Sequence, residues 1–389
     1  MQLSIRPKVY SLPPYSLTGD LLGFIRCGLQ YRYTRIGQLP ASRPVQMWFG
    51  QFIHGILEES FRRFDEERKK GTINLPPWPD SELDDICDLI QKRLAAQGLF
   101  PWTLELEKQG RARAKTAINE LGPELFPLIH RAEVRLTGAR ALPLAKIPVP
   151  YQFREADRYE MVGVIDVITH VQLSDPLLKK NKLVKKIVAA LPKHPPDKFE
   201  IIIDYKGMRR STISGKGGTG PNYWKIYDWQ VQTYAHLRRS HEDSLPVVAG
   251  IILYVNELHP TRRDLTELKK EISSKLTDVV PDSGSKIEDI LDKWKRRDPV
   301  PSLPFDFRLD RALKVVTISD ASIDTALNKF DNIVATIEIC RGKELQHGRV
   351  LSSWDKNATD GGTCASCDSR TFCPDYTKEN SPKLPAVKI

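Results

Sequence analysis

The chain has 389 residues, and its 59 lysines and arginines against 49 aspartates and glutamates give a net charge of +10. This charge suits a polyanionic ligand such as nucleic acid, although many proteins that bind no polyanion share it. No stretch approaches the roughly 20 apolar residues of a membrane span and the N-terminus lacks the apolar core of a secretion signal, so we expect a soluble, cytoplasmic protein without membrane partners.

Four cysteines stand at opposite ends of the chain. Cys27 is alone near the start, whereas Cys364, Cys367 and Cys373 form a C-x2-C-x5-C cluster near the end. Four thiolates suit a structural zinc ion or an iron–sulfur cluster. A chain of this length can bury its own core without disulfides, so the cluster favours metal binding.

The segment 55–130 is mainly helix-like, with a proline-rich break at 76–79. A helix-like run at 48–64 overlaps its start and contains His54. Cys87 and Cys340 also lie in helix-like sequences, which indicates buried, inert thiols.

Two β-rich, apolar segments follow, at 161–170 and 199–207. Asp166 stands within the first and Asp204 within the second, after three consecutive isoleucines. Ionised carboxylates in buried strands are costly unless they are paired or bound to metal, so the two acids predict a cation site. Lys206 lies two residues after Asp204 and therefore points to the same face of its strand.

An amphipathic helix is predicted at 225–239, where Gln230 and Tyr234 are four residues apart and so share one face. A further β-rich segment covers 246–255. The order strand, strand, helix, strand predicts a mixed α/β core in which the two acids and Lys206 converge at one sheet edge.

These motifs, in this order, resemble the PD-(D/E)xK nuclease superfamily. Within it they resemble the RecB-like branch with an iron–sulfur cluster, which includes CRISPR-associated exonucleases and the AddB helicase–nuclease subunit. The matching motifs are Gly163-x-x-Asp166, Asp204-Tyr205-Lys206, Gln230-x3-Tyr234, Gly50-x3-His54, Cys27 and the C-x2-C-x5-C cluster. Each motif alone is weak, and the resemblance depends on their ordered combination.

The resemblance implies a restriction-endonuclease-like fold, with a mixed β-sheet flanked by helices and a cysteine-ligated cluster that joins the N- and C-terminal segments. We predict a single nuclease unit made of consecutive segments: an N-terminal segment at 1–54, a helical cap at 55–130, a catalytic core at 131–260, a charged helical insert at 261–298, C-terminal helices with the cysteine cluster at 299–376, and a tail at 377–389.

By the same resemblance, a Mg²⁺ or Mn²⁺ ion is bound by His54, Asp166, Asp204 and the carbonyl of Tyr205. Lys206 orients the attacking water or stabilises the phosphate, and Gln230 and Tyr234 hold the substrate or Lys206. Glu133 is either a further acid of the site or an exposed strand carboxylate. The four cysteines Cys27, Cys364, Cys367 and Cys373 bind a [4Fe–4S] cluster, although coordination chemistry alone fits zinc equally well.

Two basic segments near these strands have alternative interpretations. The segment 178–186 contains five lysines and is either a solvated face or a DNA-backbone contact. The segment 209–218 is predicted to be a mobile, basic active-site loop. Tyr223 and Trp224 follow it, and they either stack on a base or pack in the fold.

The motifs together predict a metal-dependent DNA nuclease, and the resemblance favours an exonuclease of single strands or duplex ends. No helicase motif is apparent, so unwinding would need a separate protein partner. Proteins with this architecture serve CRISPR adaptation, DNA repair and antiviral defence, and the sequence does not choose among these pathways. The alternative is a non-catalytic nucleic-acid-binding or scaffold subunit, but a scaffold has no need for two buried acids and a lysine in register. A zinc-stapled structural protein with chance motifs is the third hypothesis.

Overall fold

The computed structural model describes residues 12–40, 45–154, 156–213, 223–356, 361–370 and 373. Residues 214–218 of the predicted basic loop and the predicted tail at 377–389 lie outside this part of the chain. Contacts divide the chain into two compact units. The first comprises Met1–Ser42, Thr137–Gly163 and Asp324–Ile389, and the second comprises Arg43–Leu136 and Val164–Ile323.

The described residues form the following strands and helices. The strands are β1 Pro14–Ser16, β2 Ile129–Ala141, β3 Arg158–Thr169, β4 Val171–Gln172, β5 Lys198–Lys206, β6 Val247–Tyr254 and β7 Leu313–Thr317. The α-helices are α1 Leu22–Arg26, α2 Gly28–Tyr31, α3 Val45–Lys69, α4 Asp80–Ala96, α5 Leu104–Thr116, α6 Gly122–Leu125, α7 Lys182–Ala190, α8 Tyr223–Arg239, α9 Arg262–Ser273, α10 Lys286–Lys293, α11 Phe305–Ala312, α12 Asp320–His347, α13 Val350–Ser353 and α14 Gly361–Ala365. None of the helices in these ranges combines the length and apolar character that crossing a bilayer requires.

The sheet of the second unit is mixed. Strand β5 pairs antiparallel with the end of β3 and with β4, and it pairs parallel with β6. Strand β6 in turn pairs antiparallel with β7. Residues 199–205 of β5 are all buried, as expected for a central strand covered on both faces. This arrangement confirms the mixed α/β fold class predicted from the sequence.

The helices predicted from the sequence are present. The run at 48–64 lies within α3, and the amphipathic segment at 225–239 lies within α8. Helix α3 buries one apolar stripe, which includes Phe52 and Ile56, and it packs against α4 and α5. Tertiary packing of such a stripe supplies most of the stability of a helix in a protein.

The lysine-rich segment at 178–186 consists of a 3-10 turn at Leu178–Lys180 followed by the first residues of α7. Its apolar side chains are buried, and Lys186 Nζ lies 2.5 Å from Asp310 Oδ1 of α11. Lys182 Nζ lies 3.4 Å from Asp306 on the same helix. These contacts favour the interpretation as a solvated face with local ion pairs over a DNA contact.

The first unit joins residues from both ends of the chain. Strand β1 pairs in parallel with the first half of β3, and the side chain of Tyr15 in β1 donates to Glu338 of α12. The N–H of Leu29 donates to the carbonyl of Asp355 at 3.0 Å. A Cβ atom on the neighbouring Gly28 would lie only 3.0 Å from that carbonyl, so the absence of a side chain permits this approach.

Candidate functional site

The two predicted acids lie on neighbouring strands of the second unit. Asp166 in β3 and Asp204 in β5 are 8% and 2% exposed. The N–H of Tyr205 donates to Asp166 Oδ2 at 2.7 Å, which fixes one carboxylate against the backbone of the adjacent strand. Because both carboxylates are buried and Asp166 is held by this hydrogen bond, the two acids are preorganised in the folded protein.

A hydrogen-bonded network surrounds Asp204. Lys206 Nζ lies 2.5 Å from Asp204 Oδ2 and donates to Gln230 Oε1 at 3.2 Å. Gln230 Nε2 donates to Asp204 Oδ1 and to the Tyr234 hydroxyl, both at 3.0 Å. The structure thus brings together four of the residues predicted from the sequence. This hydrogen-bonded network holds the ammonium of Lys206 beside the buried carboxylate of Asp204.

One residue of this network was missed by the sequence analysis. The ring of Tyr227 lies under Lys206, with Nζ 4.6 Å from the ring centroid, so it adds a cation–π contact. Tyr227 precedes Gln230 by three residues and Tyr234 by seven on α8, so the three share one helical face. This spacing is a signal that could have identified it.

His54 approaches the acids from α3. Its Nε2 donates to the carbonyl of Tyr205 at 2.9 Å, which leaves Nδ1 at 3.5 Å from Asp166 Oδ2. Histidines that bind metal usually donate their other ring N–H to a carbonyl or carboxylate, because that bond fixes the tautomer and the ring orientation. The orientation of His54 is therefore the one expected of a metal ligand that binds through Nδ1.

Glu133 completes a group of three. One ligand atom from each of His54, Glu133 and Asp166 lies within 4.8 Å of the others. Among the described residues, these three form the group of histidine, cysteine and acidic side chains that is compact enough to hold a metal ion. Glu133 lies in β2 with a φ of 51°, and its side chain lines a cleft of about 510 Å³ between α3 and α4. The sequence had left its role open.

The pKa values of His54, Glu133 and the neighbouring Asp204 are all raised, as expected where buried carboxylates lie close together. Burial alone would lower the pKa of His54, but Asp166 and Asp204 raise it to about 9. Desolvation and the charge of Asp166 raise the pKa of Glu133 to about 7. Burial raises the pKa of Asp204 to about 6, with Lys206 opposing the shift. Carboxylates that resist ionisation in this way are stabilised when a cation is bound beside them.

The comparison with known families agrees with this geometry. Residues 19–175 match the PD-(D/E)XK nuclease superfamily. The matched segment contains His54, Glu133 and Asp166 and ends before β5 begins. The mixed sheet flanked by helices is consistent with the restriction-endonuclease-like fold of the PD-(D/E)XK superfamily. No curated protein matches the chain. The PD-(D/E)XK match suggests a metal-dependent nuclease, a hydrolase that acts on phosphodiester bonds.

The donor atoms suit the divalent cations that PD-(D/E)XK nucleases use. One imidazole nitrogen and two carboxylates fit Mn²⁺ or Mg²⁺. Of the other ligands predicted from the sequence, the Tyr205 carbonyl accepts a hydrogen bond from His54, and Asp204 is paired with Lys206. Both carboxylate oxygens of Asp204 have a partner, because Oδ1 accepts from Gln230 and Oδ2 lies 2.5 Å from Lys206 Nζ. The roles of these two residues as ligands stay a prediction.

The four predicted cluster cysteines all lie in the first unit. Cys27 is buried between α1 and α2, and Cys364, Cys367 and Cys373 are half-buried. Burial raises the pKa of the Cys367 thiol, and the charges of Cys27 and Cys373 raise it further, which indicates that these thiols are close.

Among the described residues, no three of these four cysteines form a group within 4.8 Å of one another. Cys87 and Cys340 are buried, and burial raises the pKa of each thiol to about 11, as expected of inert cysteines.

The described part of the predicted basic loop is fixed by ion pairs. Arg209 NH2 lies 2.9 Å from Glu271, and Arg210 is buried and donates to Asp278 at 2.6 and 2.8 Å. The side chains of Arg209 and Arg210 are thus held in ion pairs, and the interpretation of 209–218 as a mobile active-site loop stays a prediction. Tyr223 is exposed.

Proposed function

We propose that the protein is a Mg²⁺- or Mn²⁺-dependent deoxyribonuclease of the RecB-like branch, acting as an exonuclease on single strands or duplex ends. One observation carries the proposal. The potential ligand atoms of His54, Glu133 and Asp166 converge beside the ion pair of Lys206 and Asp204. A scaffold protein gains nothing from this arrangement, because it concentrates buried charge at a cost in stability.

Each residue has a defined role in the proposed reaction. His54, Glu133 and Asp166 would hold the cation, and Asp204 would join them through the carboxylate oxygen that the Lys206 ammonium contacts here. The cation would lower the pKa of the attacking water and offset charge on the phosphate. Lys206 would donate hydrogen bonds to that water or to the phosphate oxygens. Gln230 orients Lys206, because its amide contacts both the ammonium and the paired carboxylate.

We also infer a [4Fe–4S] cluster bound by Cys27, Cys364, Cys367 and Cys373. The proposal is supported by the presence of all four cysteines in the first unit and by their resemblance in spacing to the iron–sulfur branch. Such a cluster would hold the two chain ends together in the first unit. Free thiols at all six cysteines suit a reducing compartment such as the cytoplasm. DNA is the proposed substrate, and a separate helicase would supply unwinding where duplex is degraded.

The first test compares Lys206→Ala and Asp204→Asn with the wild-type protein. Labelled single- and double-stranded DNA is incubated with Mn²⁺, and the visible absorption of each protein is recorded under anaerobic conditions. We expect both variants to lose cleavage by about 100-fold or more, because each removes a charged group that acts on the phosphate or the cation. The absorption of the cluster should be unchanged.

Lys186→Ala is the matched control, since Lys186 forms an ion pair of the same length with Asp310 away from the site. It should cleave DNA at the wild-type rate. Wild-type protein that cleaves neither substrate would support the scaffold hypothesis. Loss of the cluster absorption together with cleavage in Lys206→Ala would show that this lysine is structural.

A further inference from the structure

A second cleft of the second unit is lined by basic side chains. Its volume is about 980 Å³. One wall is a face of α5, and the other consists of segments 258–263 and 300–303 with Arg296 and Arg308. None of the residues assigned above to the nuclease site lines it.

The wall formed by α5 is a continuous stripe. Glu105, Lys108, Ala112 and Thr116 line the cleft and recur every three or four residues, so they lie along one side of the helix. The Thr116 hydroxyl contacts His259 Nδ1 at 3.1 Å, which ties this wall to the opposite one. The two walls of the cleft are therefore in direct contact at Thr116 and His259.

The charge of the lining is strongly positive. Its basic members are Lys108, Arg262, Arg263, Arg296 and Arg308, and its acids are Glu105 and Glu120. Glu120 is already paired with Arg308 at 2.6 Å. Lys108 and Arg296 are exposed, and within the described ranges neither forms an ion pair. Several cations close together without counter-charges repel each other, so the cleft favours an anionic occupant.

Apolar groups accompany these cations. Val300, Pro301 and Leu303 form part of the lining. Just before and at the start of α5, Trp102 and Leu104 expose 75% and 76% of their surfaces. Proteins that bind single strands combine a cationic groove for the phosphates with aromatic and apolar surfaces for the bases. A duplex, whose bases are stacked inside, would leave the apolar surfaces without a partner.

The lining of the cleft begins, along the chain, just beyond the sheet edge that carries Lys206. Strands β5 and β6 are parallel, and Lys206 at the end of β5 is in register with Tyr254 at the end of β6. The chain then passes through Asn256, which donates to the carbonyl of Gly207 at 3.4 Å, and reaches the cleft at Leu258. This segment of four residues therefore connects the sheet edge that carries the lysine with the lining of the cleft.

We propose that this cleft binds the phosphate backbone of single-stranded DNA and guides the strand to or from the site of cleavage. This inference rests on the proposed nuclease function, which it extends by assigning a substrate path. Lys108 and Arg296 contact phosphates. Trp102, which is exposed three residues before the lining residue Glu105, stacks on a base. The occupant is a single strand because the lining joins cations with apolar surface.

The test is the double variant Lys108→Gln/Arg296→Gln. Binding of a labelled single-stranded oligonucleotide to the full chain is measured by fluorescence anisotropy in EDTA, across a range of salt concentrations. Each lost phosphate contact lowers the slope of log affinity against log salt by about 0.7. We expect the slope to fall by about 1.4 and the affinity at physiological salt to fall about tenfold.

The control is Lys92→Gln/Arg297→Gln, which removes the same charge from exposed positions that do not line the cleft. Its slope should match the wild type. Equal effects in the two double variants would overturn the proposal, because net charge alone would then explain binding. A second measurement uses poly-glutamate in place of DNA. If the binding of poly-glutamate depended on Lys108 and Arg296 and the binding of DNA did not, the proposal would also be overturned, and the cleft would be assigned to an acidic protein.

Failure of this proposal can be separated from failure of the nuclease function. Hydrolysis of bis(p-nitrophenyl) phosphate with Mn²⁺ needs the catalytic residues. This substrate is too small to reach from the site of cleavage into the cleft, so its hydrolysis does not need the cleft. Lys108→Gln/Arg296→Gln should leave this hydrolysis unchanged, whereas Asp204→Asn should abolish it. A wild-type protein without hydrolysis would contradict the nuclease function, while the anisotropy measurement would still test the cleft.

Discussion

Glu133 has a backbone conformation that L-residues seldom adopt. Its φ of 51° lies in the left-handed region, and its side chain is exposed in the same cleft that His54 lines. Backbone strain of this kind costs of order 1 kcal/mol or more and persists where the surrounding structure imposes it. In β2 it turns one carboxylate out of the regular strand pattern and toward Asp166. Strain and electrostatic repulsion therefore coincide at one residue.

Replacement of Glu133 by glutamine should have opposite effects on stability and on metal binding. Without metal, the variant should be more stable by about 0.5–1 kcal/mol, because the charge that Asp166 and Glu58 repel is removed and solvent screening keeps this effect small. Its affinity for Mn²⁺ should fall at least about tenfold, because a ligand is lost. Urea unfolding in EDTA and calorimetric titration with Mn²⁺ measure the two quantities.

Glu58→Gln is the matched control. It removes a neighbouring charge in the same cleft but no member of the ligand group. It should also stabilise the metal-free protein and should leave Mn²⁺ affinity within about twofold. If Glu133→Gln bound Mn²⁺ as tightly as the wild type, Glu133 would be an exposed strand carboxylate and the ligand group would be incomplete.

The sequence could predict the site residues whose spacing is local. Asp204 and Lys206 are two apart on a strand, and Gln230 and Tyr234 are four apart on a helix, so each pair had to share a face. The role of Glu133 could not be predicted, because it depends on a single left-handed residue within a strand. A pattern of side-chain types carries no information about such a departure from regular backbone.

Helix α8 lies directly on strand β6, and one glycine makes this possible. A Cβ atom built on Gly250 would lie 1.7 Å from Cγ1 of Val231. Val231 adjoins Gln230 in α8, so the closeness of helix and sheet also determines where the Gln230 amide meets Asp204. The packing of one element thus positions a residue of the candidate site.

Gly250→Ala should therefore destabilise the protein by about 1–3 kcal/mol, because the added methyl group must displace α8 or change the Val231 rotamer. Cleavage should fall as well, since a displaced helix moves Gln230 from Asp204 and Lys206. Urea unfolding and the DNA cleavage assay measure both effects.

The double variant Gly250→Ala/Val231→Ala tests the cause. Shortening Val231 removes the atom that the new methyl group would meet, so cleavage should recover toward the level of Val231→Ala alone. A double variant as impaired as Gly250→Ala would instead assign the effect to the backbone of β6. Sequence patterns predicted both elements, but the contact between positions 231 and 250 depends on three-dimensional packing that periodicity does not encode.

At the scale of the whole molecule, the chain is organised by contacts between distant residues. The first unit draws on three separate segments, whereas the sequence predicted consecutive segments of one nuclease unit. The bond from Tyr15 to Glu338 joins residues 323 positions apart. Local patterns predict strands and helices well, but they say little about which distant segments pack together. The cysteine spacing was the single sequence feature that indicated contact between the chain ends.

The cluster should be the main covalent link between those ends. A crosslink from Cys27 to the C-terminal cysteines closes a loop of roughly 340 residues and restricts the unfolded chain by about 5–6 kcal/mol, an upper value because the unfolded chain can keep its ligands. Cys367→Ala should abolish visible absorption and iron binding and should lower the unfolding temperature by several degrees. Hydrolysis of bis(p-nitrophenyl) phosphate should fall much less at 20 °C than in Asp204→Asn, because the ligand group for Mn²⁺ lies in the other unit.

Cys340→Ala separates this effect from ordinary loss of a buried thiol. Cys340 belongs to the same unit and is buried, but it is outside the predicted ligand set. Its variant should keep iron and absorption while losing about 1 kcal/mol from the small cavity. Equal iron content in Cys367→Ala and wild type would remove Cys367 from the ligand set. Stoichiometric zinc and no absorption in wild-type protein would instead make the link a zinc site.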